Sequence, residues 1–116
     1  MKKLLLAMML IGVAYTATAA SNGNDLYEWG MAFERVNGLG SRDPADTMKA
    51  GLFMGYVTSA ADFTKVLGTT CSPEDVINGQ NFDIVFNYLK SHPEKRTDTA
   101  ALVMVNAMKE AYPCKN

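Results

Sequence analysis

Two cysteines, Cys71 and Cys114, and one histidine, His92, are the groups in this 116-residue sequence from which covalent or metal chemistry would be built. A thiolate with an imidazole base makes a nucleophile. A pair of cysteines in an oxidising compartment makes a disulfide instead, which removes the thiol. Zinc would need both cysteines, His92 and carboxylates, and the ligand spacing of a zinc site is missing. There is no glycine-rich phosphate cradle, no haem-attachment motif and no specially placed carboxylate pair. The expectation is therefore no catalytic residue, no metal and no cofactor, with Cys71 and Cys114 joined. A protein without a catalytic set reads as a binding protein.

The compartment is argued from the N-terminus. Lys2 and Lys3 precede an apolar run from Leu4 to Val13 and the small residues Thr16-Ala17-Thr18-Ala19-Ala20, the order of a cleaved secretory signal. That run is shorter than the ~20 apolar residues of a membrane span. The sequence divides on this reading into a signal peptide, residues 1–19, and an exported helical domain, residues 20–116. Loss of Lys2 and Lys3 takes the basic count from 11 to 9 against 12 acids, a net charge of about −3. Such a charge disfavours a nucleic-acid partner, because phosphate binding needs clustered cations. The remaining chain, about 97 residues, is at a size where a hydrophobic core alone stabilises modestly. A bridge from 71 to 114 closes a loop of about 44 residues, worth about 4 kcal/mol in the chain-entropy description.

The elements that would position these groups are helices. The apolar spacing predicts an all-α, single-domain bundle of about four helices. Asn24 can cap a first helix with Leu26, Trp29, Phe33 and Val36 on one face, ended by Asn37-Gly38-Leu39-Gly40. Asp43-Pro44 opens a second that runs to about Leu67 and stops at Gly68. This second helix is apolar on nearly every side, with Leu52, Tyr56 and Phe63 on one face and Phe53, Met54, Val57 and Ala61 on the other. Either it is the central element or a second chain buries one of its faces. Gly51, Gly55 and Ser59 recur every four residues, and close packing inside the fold is the default explanation.

Ser72-Pro73-Glu74-Asp75 offers a further helix start, which Gly79 interrupts. From about Gln80 a third helix carries Phe82, Ile84, Val85, Phe86, Tyr88 and Leu89, leaving Asp83, Asn87 and Lys90 to water. It stops at Ser91-His92-Pro93, where His92 suits a carbonyl-capping role. Glu94, Lys95, Arg96, Thr97 and Asp98 form a charged turn, with Thr97 or Asp98 as cap of a last helix. Its stripe is Ala101, Met104, Val105, Met108 and Tyr112, ended by Pro113. The methionines at helical spacing, Met31, Met48, Met54, Met104 and Met108, read as core filler.

Gly55-Tyr56, Cys71-Ser72-Pro73, Gly79-Gln80, Tyr88-Leu89, His92-Pro93-Glu94, the helix from Ala100 to Val105 and Tyr112-Pro113-Cys114 stand in an ordered series. In that series the chain resembles the periplasmic immunity proteins of type VI secretion amidase systems, over about Leu26 to Cys114. The resemblance implies a small periplasmic helical protein, a homodimer, that inhibits a secreted peptidoglycan amidase by covering its cysteine-based active site. Phe53 stands where many relatives have a cysteine, so only Cys71 and Cys114 are left to pair.

The candidate partner-binding residues are Glu94, Lys95, Arg96, Thr97 and Asp98 in the charged turn, and Asp83, Asn87 and Lys90 on the third helix. The Gly38 to Asp43 loop with Arg42 is a further candidate. The alternative function is a small periplasmic helical chaperone of the acid-stress type, which would expose apolar surface at low pH.

Overall fold

The structure is a computed structural model that describes residues 21–115. The expected signal peptide, residues 1–19, lies outside these residues. Four α-helices follow one another: α1 (Gly23–Gly38), α2 (Pro44–Val66), α3 (Asn78–Ser91) and α4 (Ala100–Ala111), with a short 3₁₀ turn, Pro93–Lys95, between the last two. Among the described residues there is no strand, so the all-α reading holds.

Local chemistry sets most helix ends, in places one or two residues from the expected ones. The cap of α1 is Asn22 rather than Asn24: its Oδ1 accepts from the backbone N–H of Asn24 (2.8 Å) and Asp25 (3.2 Å), and the Asp25 carboxylate accepts from Asn22 N–H. This reciprocal box satisfies three donors at once, so it prevails over a single cap at Asn24. Asp43 caps α2 through Ala45 N–H at 2.8 Å, with Pro44 in the first turn, as expected. Gly68 ends that helix at φ +67°, where a side chain would be strained. Thr99 caps α4, in place of Thr97 or Asp98, by accepting from Leu102 N–H.

The start of α3 differs most from expectation. Ser72-Pro73-Glu74-Asp75 forms only a turn, and the chain is extended again at Ile77 (φ −97°, ψ 157°). There the Gln80 side chain accepts the Ile77 N–H at 2.9 Å, and the helix begins at Asn78. Gly79 therefore sits inside the first turn of α3 rather than interrupting an earlier helix.

The core is formed where the four helices meet: Leu26 from α1, Phe53 and Val57 from α2, Val85, Phe86 and Leu89 from α3, Val103, Met104 and Met108 from α4 are all buried. Aromatic rings join three helices, with Phe33 5.5 Å from Phe53 and 5.3 Å from Phe82, and Phe53 6.2 Å from Phe86. Met104 and Met108 are core filler, whereas Met31, Met48 and Met54 are partly or largely exposed. The buried face of α4 also contains Ala100, Val103 and Ala107; Ala101 lies outside it. Cys71 and Cys114 form a disulfide that ties the α2–α3 connection to the end of α4. Cys71 N–H also donates to Tyr112 O at 3.0 Å.

Candidate interaction surfaces

The charged turn after α3 is held from three sides. On the α3 side, the His92 N–H donates to Tyr88 O at 2.9 Å, and ring Nδ1 lies 3.1 Å from the same carbonyl. That carbonyl can only accept, so Nδ1 carries the proton in this arrangement. His92 is thus a capping residue, as its position predicted. Its ring stacks on Tyr88 at 4.2 Å between centroids. Arg96 turns inward: Nε donates to Leu89 O at 2.8 Å, and the guanidinium lies 3.7 Å from the centroid of the Tyr27 ring.

The third constraint comes from the start of α1 and the two residues before it. Gly23 N–H donates to Asp98 O and Asn24 N–H to Arg96 O, both at 2.9 Å, and Ala100 N–H donates to Ser21 O. Asn22 and Thr99 form an antiparallel bridge. Gly23 permits this approach because a Cβ there would lie 2.6 Å from Arg96 Cα. Residues 21–24 are therefore a strap across the turn. Nothing in the sequence motifs indicated it, since it is a long-range backbone contact whose only trace is a glycine beside a helix cap.

The predicted partner-binding residues divide accordingly. Glu94, Lys95 and Thr97 are exposed on the strapped turn, whereas Arg96 and Asp98 are half-buried. Arg96 is occupied by Leu89 O and Tyr27, so its guanidinium is a structural group here. Asp83, Asn87 and Lys90 are exposed along α3, with Lys90 Nζ 4.5 Å from the Phe86 ring centroid. Asn87 also lines a cleft of about 310 Å³ between α3 and α4, with Ile84, Tyr88, Ser91, His92 and Glu110 among its other walls. Burial raises the Tyr88 hydroxyl above its usual range, and the carboxylates of Glu110, Glu94 and Asp98 add to that rise.

The second surface is an apolar groove of about 680 Å³ between α2 and α4, lined by Leu52, Tyr56, Phe63, Leu67 and Val105. Its floor contains Gly51, Gly55 and Ser59. A Cβ on Gly51 or Gly55 would meet nothing within 4 Å, so these glycines do not serve close packing inside the fold. The structure corrects that expectation because the stripe faces the groove, while Ala50, Phe53 and Val57 form the packed side of α2. Phe63 is 67% exposed. Among the described residues the helix is covered on one side only.

The Gly38 to Asp43 loop is braced rather than free. Arg35 binds Asp46 through two hydrogen bonds of 3.0 and 2.6 Å, Ser41 Oγ donates to the same carboxylate, and Ser41 N–H donates to Arg35 O. These hydrogen bonds, Arg35 first, hold the Asp46 carboxyl down at about 2. Arg42 itself is exposed.

Both sulfurs are in the disulfide, so neither is a nucleophile in this structure. Among the described residues no group of three or more histidine, cysteine, aspartate or glutamate side chains could hold a metal ion, and no helix is long and apolar enough to cross a membrane. What the arrangement offers is contact surface: a fastened polar turn, a small mixed cleft beside it and an open apolar groove. The family model described as Rap1a immunity proteins matches residues 22–114. No curated protein and no solved structure matches the chain.

Proposed function

The chain belongs to the family of Rap1a immunity proteins, and from that premise we propose that its cognate effector is a peptidoglycan amidase secreted by a type VI system. Membership carries the general role, a bacterial immunity protein that binds an effector. The amidase target, a periplasmic location after signal cleavage, and inhibition by covering the active site belong to the proposal.

The observation that supports this reading best is the strapped turn. A turn held by α3, by Tyr27 of α1 and by residues 21–24 has little conformational freedom left to lose, so inserting it into an enzyme cleft costs little ordering entropy. Glu94, Lys95 and Thr97 would make the contacts, with Asp83, Asn87 and Lys90 extending the surface along α3. Arg96 and Asp98 would hold the shape of the turn. The apolar groove of α2 supports a homodimer, because a second copy would cover Leu52, Tyr56 and Phe63.

Peptidoglycan hydrolysis by the amidase effector of the same bacterium tests the proposal. Equimolar residues 20–116 should abolish turnover. Full activity in the presence of excess protein would reject the amidase as target.

The open groove also favours a second reading, an acid-stress chaperone that binds unfolded clients on apolar surface. Suppression of aggregation of unrelated proteins at acidic pH, without inhibition of the amidase, would select it.

A further inference from the structure

We infer that the cleft between the C-terminal halves of α3 and α4 is a docking subsite for a cationic side chain, a lysine or an arginine, of the protein partner. The inference rests on the immunity reading for the identity of that partner. The subsite itself is argued from the cleft.

Its shape comes first. The cleft encloses about 310 Å³, and Ile84, Ala107 and Ala111 give it apolar walls against which the methylene stem of a long side chain would pack. Most of its polar atoms can accept a hydrogen bond. Ser91 Oγ donates its proton to Asn87 O at 2.8 Å, and His92 Nδ1 is engaged with Tyr88 O. Ser91 Oγ therefore keeps its lone pairs for a visitor, and His92 has only Nε2 left to offer. The carboxylate of Glu110 accepts only, whereas the Asn87 amide and the Tyr88 hydroxyl can each accept as well as donate. A cleft with surplus acceptors fits a group that has donors and no acceptors, which describes ammonium and guanidinium.

Charge agrees with hydrogen bonding. Glu110 is the one charged residue lining the cleft, and Glu94 and Asp98 are near enough to act on Tyr88 together with it. None of the three is in an ion pair among the described residues. Two nearby cations are engaged elsewhere, Arg96 on Tyr27 and Lys90 on Phe86. The stacked Tyr88 and His92 rings add an aromatic wall suited to a cation. An acidic side chain would face the like charge of Glu110.

Titration of ¹⁵N-labelled residues 20–116 with N-acetyl-arginine amide, whose only charge is the guanidinium, tests the subsite. Amide shifts should concentrate at Asn87, Ser91, His92 and Glu110, and Glu110→Gln should weaken the interaction about tenfold, the effect of one lost charge-assisted contact. The uncharged N-acetyl-citrulline amide should bind no better than that variant does. Equal shifts from the arginine and citrulline compounds, or shifts that Glu110→Gln leaves unchanged, would overturn the inference. In the amidase assay Glu110→Lys should weaken inhibition by at least about tenfold. Cleft binding of the probe without inhibition by the wild-type chain would reject the amidase reading and keep the subsite. Inhibition that is indifferent to Glu110→Lys, with a probe that ignores the cleft, would reject the subsite and keep the amidase reading.

Discussion

Glycines punctuate both α1 and α2, yet Gly23 and Gly30 on α1 lie against neighbouring groups while Gly51 and Gly55 on α2 face open space. Gly23 and Gly30 are buried: a Cβ would come within 2.6 Å of Arg96 Cα in the first case and of a Phe86 ring carbon in the second. Gly51 and Gly55 would meet nothing. A helical glycine costs about 1 kcal/mol relative to alanine. On α1 that cost is offset by backbone and ring contacts that no larger residue would allow. On α2 nothing within the described chain offsets it, so the explanation for that side belongs to an interface. The comparison teaches that a small-residue stripe shows where a close approach is possible, and that its surroundings must show whether one occurs.

The largest expected effect concerns what anchors the bare side. The disulfide fastens the connection that leaves α2 to the end of α4, and Cys71→Ser with Cys114→Ser should cost about 4 kcal/mol by the loop-closure estimate. Chemical denaturation of the oxidised wild type and the double variant checks it. A cost below about 1 kcal/mol would show that packing, rather than the bridge, secures this region.

The crowded side should rank next, with its two glycines unequal. Gly23→Ala forces a methyl against backbone atoms of Arg96, which can yield only by moving the strap or the turn, and should cost about 3 kcal/mol. Gly30→Ala meets the edge of the Phe86 ring, a side chain that can tilt, and should cost about 1–2 kcal/mol. Equal losses in thermal or denaturant unfolding would refute the distinction. Gly23→Ala should also reduce amidase inhibition beyond its effect on stability, because it disturbs the turn placed at the enzyme.

The bare side should respond in the opposite direction. Gly55→Ala should stabilise the monomer by about 0.8–1 kcal/mol through helix propensity alone. In a homodimer that buries the groove, the same methyl should raise the dimer dissociation constant in sedimentation equilibrium. Destabilisation of the monomer would show that the groove closes on its own floor.

The smallest effect tests how the two helices are joined. The Asp46 carboxyl, held by Arg35 and Ser41, has a folded value of about 2, below the ordinary 3.8. Its contribution to stability is therefore complete above the ordinary carboxylate range and is lost as pH falls from about 4 through 2. Asp46→Asn should flatten the pH dependence of the unfolding midpoint across that interval. An unchanged slope would show that Arg35 binds Asp46 without coupling to folding.

Most of the helices were legible in the sequence because their signals are local. Asp43-Pro44 opens α2, Gly68 ends it, and His92 caps α3, each through neighbours within about one helical turn. Where two local signals competed at the start of α1, the one satisfying more backbone donors prevailed, Asn22 over Asn24. The candidate surface was legible as a charged turn, but not which of its members are free. Arg96 is spent on Leu89 and Tyr27, and those partners lie 7 and 69 positions away along the chain. Glu110 carried no motif at all.

By itself the sequence determined the all-α class and singled out the two cysteines that the bridge joins, since helix periodicity and cysteine count depend on nothing distant. Only the tertiary structure decided that residues 21–24 strap the charged turn, that α2 is covered on one face, and that α3 and α4 leave an acceptor-rich cleft. The physical reason is that these features are contacts between segments far apart in the chain. Whether an apolar or glycine-lined helix face is packed or open depends on what the other helices bring against it.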